Sequence, residues 1–167
     1  MQSTFKNRRK KLIVWLFEKS QTLYVRYFKK NKAPWKISKQ KLLKYPTDTL
    51  GYKYAQFLEE NKFEILPKLE RHDAYHVITG YKSKVEDEIA LQYLCFGNGK
   101  RSIYLFGVIL LGTIILPDYY KYYHKSYHKG KQAKPFYHLE FEKLLSKNLK
   151  SLQKKIFEKE VISTNTS

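Results

Sequence analysis

The stretch HDAYHVITGYKSKVEDEIALQYLCFGNG, residues 72–99, decides the fold class of this chain. Its first part predicts a helix that ends at Gly80, because glycine adopts without strain the left-handed conformation common at helix C-termini. Its second part predicts a helix from Lys84 to about Phe96, which nearby glycines end. Apolar and polar residues do not alternate as they would in a strand. The stretch therefore predicts two helices joined by a short turn.

The start of the second helix carries a further signal. Ser83 is followed three residues later by Glu86, the spacing of a capping box, in which the serine hydroxyl caps the helix. We therefore expect the Ser83 side chain to bond to the backbone of this helix.

The chain on either side of this stretch is also predicted to be helical. Apolar residues at helical spacing, separated by prolines and glycines, predict helices at 12–28, 38–45, 50–61, 103–116, 119–133 and 140–159. A polar break over 29–36 separates the first two. No internal repeat is found. We predict an all-α fold, a single compact helical domain of about seven or eight helices.

Length and composition fit that single domain. The chain has 167 residues, of which 43% are apolar, enough for one sizeable core. We expect the domain to cover 1–167, with an N-terminal helix of open role within 1–36 and a polar tail, 160–167, that frays. The single cysteine, Cys95, excludes a disulfide framework, and its apolar neighbours favour a buried side chain over a reactive thiol.

The net charge of +18 attracts anionic partners such as nucleic acid, anionic lipid or phosphorylated ligands. A lysine-rich proteome explains this charge equally well. The basic residues are spread over the whole chain, and neither zinc-finger spacing nor an aromatic–basic RNA-binding motif occurs. Nucleic acid is therefore not a predicted partner.

The N-terminal segment bears on the compartment. Its basic start, residues 1–11, precedes an apolar run that is too short for a secretory signal, with no small-residue cleavage site after it. A mitochondrial presequence would be rich in arginine and serine, whereas this segment is rich in lysine. We predict a bacterial cytoplasmic protein.

The chemistry-bearing residues lie in the stretch quoted first. His72 and His76 are four residues apart on one predicted helix, so both rings share a face and can converge on one ion. Asp73 borders that face and can add an oxygen ligand. His76 lies four residues before Gly80, where the first helix ends, and Glu88 lies four residues after Lys84, where the second begins. If the turn makes the two helices antiparallel, these residues lie at the same level. These residues predict a site for a divalent metal.

The donor types narrow the choice of metal. Two imidazoles and two carboxylates suit zinc, iron or manganese better than calcium, and zinc is favoured. The alternative is two histidines and two acids on solvated helix faces. A zinc protease would carry His-Glu-x-x-His, and Asp73 is one methylene too short for that glutamate. An HD phosphohydrolase needs a histidine upstream, and His72 is the first in the chain.

The complete pattern, His72-Asp73-x-x-His76 followed after eleven residues by Glu88, resembles the signature of the coenzyme Q biosynthesis protein 4 family. The flanking matches, in the family's order, are Pro46-Thr47-Asp48-Thr49-Leu50-Gly51, then Tyr127 with Gly130 and Ala133, then Glu142 with Leu149 and Leu152. The resemblance covers about 40–155. Phe141 departs from the family, whose members carry tryptophan there.

The resemblance implies a part in ubiquinone biosynthesis at a membrane. The family is associated with organising the quinone-biosynthetic enzymes, with binding polyisoprenoid lipid, and with removing the C1 carboxylate of a polyprenylated hydroxybenzoate at the metal site. The implied function is therefore that of a metal-dependent decarboxylase, a lyase. The alternative is a non-catalytic scaffold or lipid-binding protein whose metal is structural. The implied partners are a polyprenyl lipid or quinone precursor and other quinone-biosynthesis proteins, and a homo-oligomer stays open.

The uncharged apolar run from Ile103 to Leu116 bears on the membrane. As a helix it would be about 21 Å long, short of a hydrocarbon core of about 30 Å, so a transmembrane span is not predicted. It is either a buried core helix, or the wall of a lipid-tail tunnel or a membrane-docking face. The basic, tyrosine-rich helix after Pro117 suits a surface at headgroup level. We expect a protein peripheral to the bacterial inner membrane.

Overall fold

Helices dominate the part of the chain that the computed structural model describes, residues 2–28 and 33–158. They are α1 (Gln2–Phe28), α2 (Lys39–Leu42), α3 (Leu50–Asn61), α4 (Glu70–Thr79), α5 (Val85–Gly97), α6 (Ile103–Ile115), α7 (Tyr120–Gln132) and α8 (Leu149–Phe157), with 3-10 turns at Pro117–Tyr119 and Phe141–Leu144. Within these residues the only extended pairing is one isolated bridge, between Thr49 and Asn148. The predicted all-α fold is confirmed. The predicted frayed tail, 160–167, and part of the predicted break, 29–32, lie outside the described residues.

The turn between α4 and α5 brings the predicted helix pair together. Gly80 ends α4 with a φ of 76°, and its N–H donates to the carbonyl oxygen of His76 over 2.8 Å. The predicted capping box is wrong: Lys84 is the N-cap residue of α5 without a side-chain bond, and the Ser83 hydroxyl donates to the side chain of Asn61. Three acidic residues in the first turn of α5 instead complement the positive end of its dipole.

The last predicted helix, 140–159, is also wrong at its start. The chain makes a 3-10 turn and then a break before α8, which Asn148 caps by accepting a bond from the backbone N–H of Ser151 over 2.9 Å. In the break, the carbonyls of Leu145 and Lys147 accept bonds of 2.8 and 2.9 Å from the first backbone N–H groups of α3. Carbonyls used in this way cannot continue a helix, so a tertiary contact sets its start.

The core surrounds α5, which packs against α1, α4, α6 and α7. Its contact with α7 is close enough to require glycine on both sides. A Cβ on Gly97 would lie 2.1 Å from the carbonyl oxygen of Tyr127, and one on Gly130 would lie 2.0 Å from that of Leu94. Because any larger side chain would push the helices apart, this packing positions α5, and Glu88 with it.

Helix α1 lies against α5 and α6. Ile13 is buried in the core. Arg9 forms an ion pair of 2.8 Å with Asp118, and Lys10 forms one of 2.8 Å with Glu86 at the start of α5. These contacts hold the N-terminal helix beside the elements that carry the predicted ligands.

Helix α6 is buried along one face only. Leu105, Val108 and Gly112 are buried, whereas the opposite face exposes five large apolar side chains: Ile103, Phe106, Leu110, Leu111 and Ile114. The interpretation as a core helix therefore holds for half of its surface.

In the described residues no single helix is long and apolar enough to cross a membrane, although α6 and the segment Pro117–Gln132, bent by 101°, pass that test as a pair by length and composition.

Candidate metal centre

Three of the predicted ligands converge where α4 faces α5. His76 Nε2 lies 3.0 Å from Glu88 Oε1, and His72 Nε2 lies 3.2 Å from Glu88 Oε2. One donor atom from each residue falls within 4.8 Å of the others. The one-turn spacing on α4 and the short turn after Gly80 produce this arrangement, as the sequence predicts.

His76 is the most firmly held of the three. Its side chain is 1% exposed and its ring stacks on Phe57, with centroids 5.3 Å apart. Its Nδ1 lies 3.0 Å from the carbonyl oxygen of Tyr81, which can only accept a hydrogen bond. Nδ1 therefore carries a proton, which leaves Nε2, the ring nitrogen that faces Glu88, as the one able to bind an ion. Fixing the tautomer of a ligating histidine in this way is typical of metal sites.

Asp73, the fourth predicted ligand, lies beside the other three but is not within that cluster. Its Oδ2 accepts a hydrogen bond of 3.0 Å from the hydroxyl of Tyr54, and its Oδ1 is 3.8 Å from His72 Nδ1. Burial, together with the charge of Asp73, raises the pKa of Tyr54, so the phenol stays protonated and donates. In this arrangement Asp73 faces the ring nitrogen of His72 that is turned away from Glu88.

The site concentrates opposite charges. Burial alone would lower the pKa of His72, but the carboxylates of Glu88 and Asp73 outweigh it and raise that pKa to about 9. Burial opposes ionisation of Glu88 as well, yet the two imidazoles hold the pKa of its carboxyl well below the usual range. Without an ion, protonated His72 neutralises Glu88, and a cation would take over that role.

The geometry fits a first-row divalent ion. With metal–ligand distances of about 2.0–2.2 Å, neighbouring donors of a tetrahedral ion lie about 3.3–3.6 Å apart. The observed separations of 3.0 and 3.2 Å between the imidazole nitrogens and the Glu88 oxygens are close to that spacing. His72, His76 and Glu88 would supply two nitrogens and one oxygen. Three protein ligands leave a fourth position for water or substrate, as in catalytic rather than structural zinc sites.

His72 and Glu88 line a cavity of about 230 Å³. Its polar lining also includes Gln92, and its apolar lining includes Val14, Phe17, Leu69, Val85 and Val108. A second cavity of about 170 Å³ lies between α1 and α6, and the two share Phe17, Tyr104 and Val108 as lining residues. The second has an apolar lining almost throughout, including Ile13, Leu16, Leu111 and Ile115.

Sequence reasoning missed four contributors to this site. Gln92 follows Glu88 by one helical turn, a spacing that would have revealed it. Tyr54, the carbonyl of Tyr81 and the α1 residue Phe17 carry no such signal, because each reaches the site only through the packing of another element.

Comparisons with known proteins agree with the fold and the motif. No curated protein matches the chain. A crystal structure of a candidate ubiquinone biosynthesis protein from Nostoc punctiforme PCC 73102 superposes with a TM-score of 0.63 at 18% identity, covering 93% of this chain and 80% of that one. At that identity the likeness shows a shared fold. The family model for the coenzyme Q (ubiquinone) biosynthesis protein Coq4 matches residues 68–159, which include His72, Asp73, His76 and Glu88. The chain therefore belongs to the Coq4 family and takes part in ubiquinone biosynthesis.

Proposed function

We propose that this protein removes the carboxylate of a polyprenylated hydroxybenzoate, at a divalent metal held by His72, His76 and Glu88. One observation carries the proposal: two of the three ligands, His72 and Glu88, line a cavity that adjoins an apolar one. The first suits a carboxylate head group, and the second suits a prenyl tail.

The chemistry needs few groups. A bound divalent ion, with zinc favoured and iron or manganese as alternatives, would act as a Lewis acid on the substrate carboxylate. The bond between the ring carbon and the carboxylate breaks, carbon dioxide leaves, and the ring carbon takes up a proton from solvent. Glu88 and His76 hold their positions through α5 and the Tyr81 carbonyl, so the site is organised before substrate binds. Asp73 lies close enough to steady His72 or to add an oxygen ligand.

Selectivity comes from the tail. An ion alone binds many carboxylates, whereas each buried methylene contributes on the order of 0.8 kcal/mol. The cavity between α1 and α6 presents a polar area far smaller than its apolar one. The first prenyl units therefore supply much of the affinity.

The outer face of α6 suits a membrane surface that delivers such a substrate. Ile103, Phe106, Leu110 and Ile114 are exposed on it, and Leu111 lies both on this face and in the apolar cavity. A patch of this kind, on a chain with a net charge of +18, fits an anionic bilayer. We propose peripheral binding through this face, at the bacterial inner membrane that the sequence predicts.

Phe106→Glu with Leu110→Glu tests the membrane proposal. The double variant should lose cosedimentation with anionic liposomes, and wild type should bind less at high salt. Lys155→Glu, an exposed change on α8 that lowers the net charge by the same two units, should bind as wild type does. Equal binding of the double variant would remove this face from the proposal.

The decarboxylation is tested with carboxyl-labelled substrates, one with a long prenyl tail and one without. Wild type loaded with zinc, iron or manganese should release labelled carbon dioxide from the long-tailed compound only. Glu88→Ala should release none, and the exposed change Glu142→Ala should act as wild type. Release that persists in Glu88→Ala would exclude this site. Lipid binding by wild type without release under any metal would favour the scaffold that the family resemblance leaves as the alternative.

A further inference from the structure

Gln92 stands out among the polar side chains of the cavity beside the metal ligands. It follows Glu88 by one turn on α5, so the two side chains lie about 5–6 Å apart on one helix face. Gln92 is 4% exposed and lines the same cavity as His72 and Glu88. Within the described parts of the chain, its amide has no hydrogen-bond or ion-pair partner.

A second buried amide, just past the end of the same helix, shows how unusual this is. Asn98 is 6% exposed and uses both ends of its side chain. Its nitrogen donates over 3.1 Å to the carbonyls of Gly130 and Lys134, and its oxygen accepts from Phe136 N over 2.8 Å. The fold thus satisfies one buried amide fully and leaves the other facing a cavity.

The Gln92 amide is not cut off from the cavity, because its atoms keep accessible surface there. The cavity lining combines apolar side chains, among them Val85, Val108 and Phe17, with the polar His72 and Glu88. An amide in this position suits a ligand that brings its own polar group.

We propose that Gln92 binds the ring hydroxyl of the hydroxybenzoate head group, an inference that rests on the proposed function. In a para-hydroxybenzoate the hydroxyl and the carboxylate lie on opposite sides of the ring. With the carboxylate at His72, His76 and Glu88, the hydroxyl points away from them, and Gln92 lies one turn farther along α5. The amide oxygen accepts the hydroxyl proton, and the amide nitrogen can donate to the hydroxyl oxygen.

The inference assigns selection of the head group to Gln92, separate from the metal and from the tail. It predicts discrimination between two compounds that share a tail and a carboxylate and differ only in the ring hydroxyl. A site built to hydrogen-bond a hydroxyl rejects the analogue that lacks it, because its own polar group is then left unpaired.

The experiment measures the affinity of metal-loaded protein for two geranylated benzoates, one with the para hydroxyl and one without, by isothermal titration calorimetry. Wild type should prefer the hydroxylated compound about tenfold. Gln92→Met, of similar length and shape, should bind both equally. Gln92→Glu should restore the preference, since a carboxylate also accepts the hydroxyl proton, although repulsion weakens its binding of both compounds. Gln132→Met, an exposed change on α7, should match wild type.

Metal content and thermal stability of each variant show that the site is intact. A preference that survives in Gln92→Met would overturn the role of Gln92 and leave the proposed function standing. The role of Gln92 is equally overturned if Gln92→Met weakens both compounds by one factor, because that result marks a role in cavity shape. Binding of neither compound by wild type would overturn the proposed function, and the role of Gln92 with it.

Discussion

The chain carries two histidine pairs with the same spacing, and in the described residues only one of them meets a carboxylate in a candidate metal centre. His72 and His76 on α4 have ring centroids 4.8 Å apart and ring planes at 68°. His124 and His128 on α7 have centroids 4.4 Å apart and planes also at 68°. Within each helix the two pairs are nearly identical, so the helical repeat cannot distinguish them.

What differs is the surroundings. His72 and His76 face Glu88 from a second helix, and Tyr81 fixes the tautomer of His76. The α7 pair is exposed, on a helix whose sequence, YKYYHKSYHKGKQ, has several lysines and no acid. The comparison teaches that helical spacing places two imidazoles side by side. A carboxylate on another helix and hydrogen bonds to the ligands are what turn such a pair into a selective metal site.

The largest expected effect separates the two pairs by metal content. His76→Ala should lose stoichiometric metal, because the substitution removes a buried ligand. It also removes one of the two imidazoles that stabilise the Glu88 carboxylate. His124→Ala should keep full occupancy after dialysis. Elemental analysis of both proteins after purification in zinc is the measurement. Full occupancy in His76→Ala would erase the distinction.

A smaller effect should come from Tyr54, whose hydroxyl donates to Asp73 beside the ligands. Tyr54→Phe removes the hydroxyl that holds Asp73, so metal affinity should fall about 10- to 100-fold. Competition with a chromogenic chelator measures it. Tyr93→Phe is the matched control, because that hydroxyl bonds to Thr113 rather than to the site. Equal affinities in both variants would show that Asp73 needs no support from Tyr54.

Stability of the metal-free protein should depend on pH in part through His72. The pKa of His72 rises from 6.5 to about 9 on folding, so its contribution is complete below pH 6.5 and is lost as the pH rises through 9. Because solvent screens the charge of this partly exposed ring, we expect His72 to contribute about 1–2 kcal/mol to the free energy of unfolding. Glu88, whose pKa is lowered, contributes above its unfolded pKa, and that part is lost only in strong acid.

Urea unfolding in the presence of a chelator, from pH 6 to pH 10, gives the free energy of unfolding of each protein. The value for His72→Gln is subtracted from that of wild type at each pH. The difference should shrink toward high pH. His124→Gln, from the exposed pair, is the control for the loss of an imidazole. A flat curve for His72→Gln would mean that Glu88 does not pair with a charged His72.

The smallest effect is expected at the α7 pair, where the exposed histidines rather than the α4 histidines should bind an ion. The Nε2 atoms of His124 and His128 are 3.2 Å apart, and both side chains are exposed. Two imidazoles at this separation can both coordinate one immobilised ion weakly. Untagged wild type should be retained by a nickel resin, and His128→Ala should elute earlier. His76→Ala should elute with wild type. Earlier elution of His76→Ala instead would mean that the α4 pair is open to solvent.

Much of the fold and of the site could be predicted because the rules involved are local. The bounds of α3, the end of α4 at Gly80 and the facing of His76 and Glu88 follow from caps, a glycine and helical rise. Each depends on residues a few positions apart in the chain. The family pattern lies in the same segment, so residues and resemblance led to the same ligands.

Two local rules failed where a distant residue competed. The Ser83 hydroxyl bonds to Asn61 instead of capping α5. The first turns predicted for the last helix do not form, because backbone carbonyls there bond to the start of α3. A capping hydroxyl or a helical carbonyl contributes only about 1 kcal/mol, so another partner of similar strength can replace it.

By itself, the sequence determined the all-α fold, the paired helices and the convergence of His72, His76 and Glu88. Only the tertiary structure decided that His76 is enclosed while the α7 pair faces water, and that Asp73 bonds to Tyr54. It also decided that Gln92 faces a cavity partly lined by α1. The reason is physical: spacing along a helix is covalent and short-range, whereas burial depends on which distant elements pack against that helix.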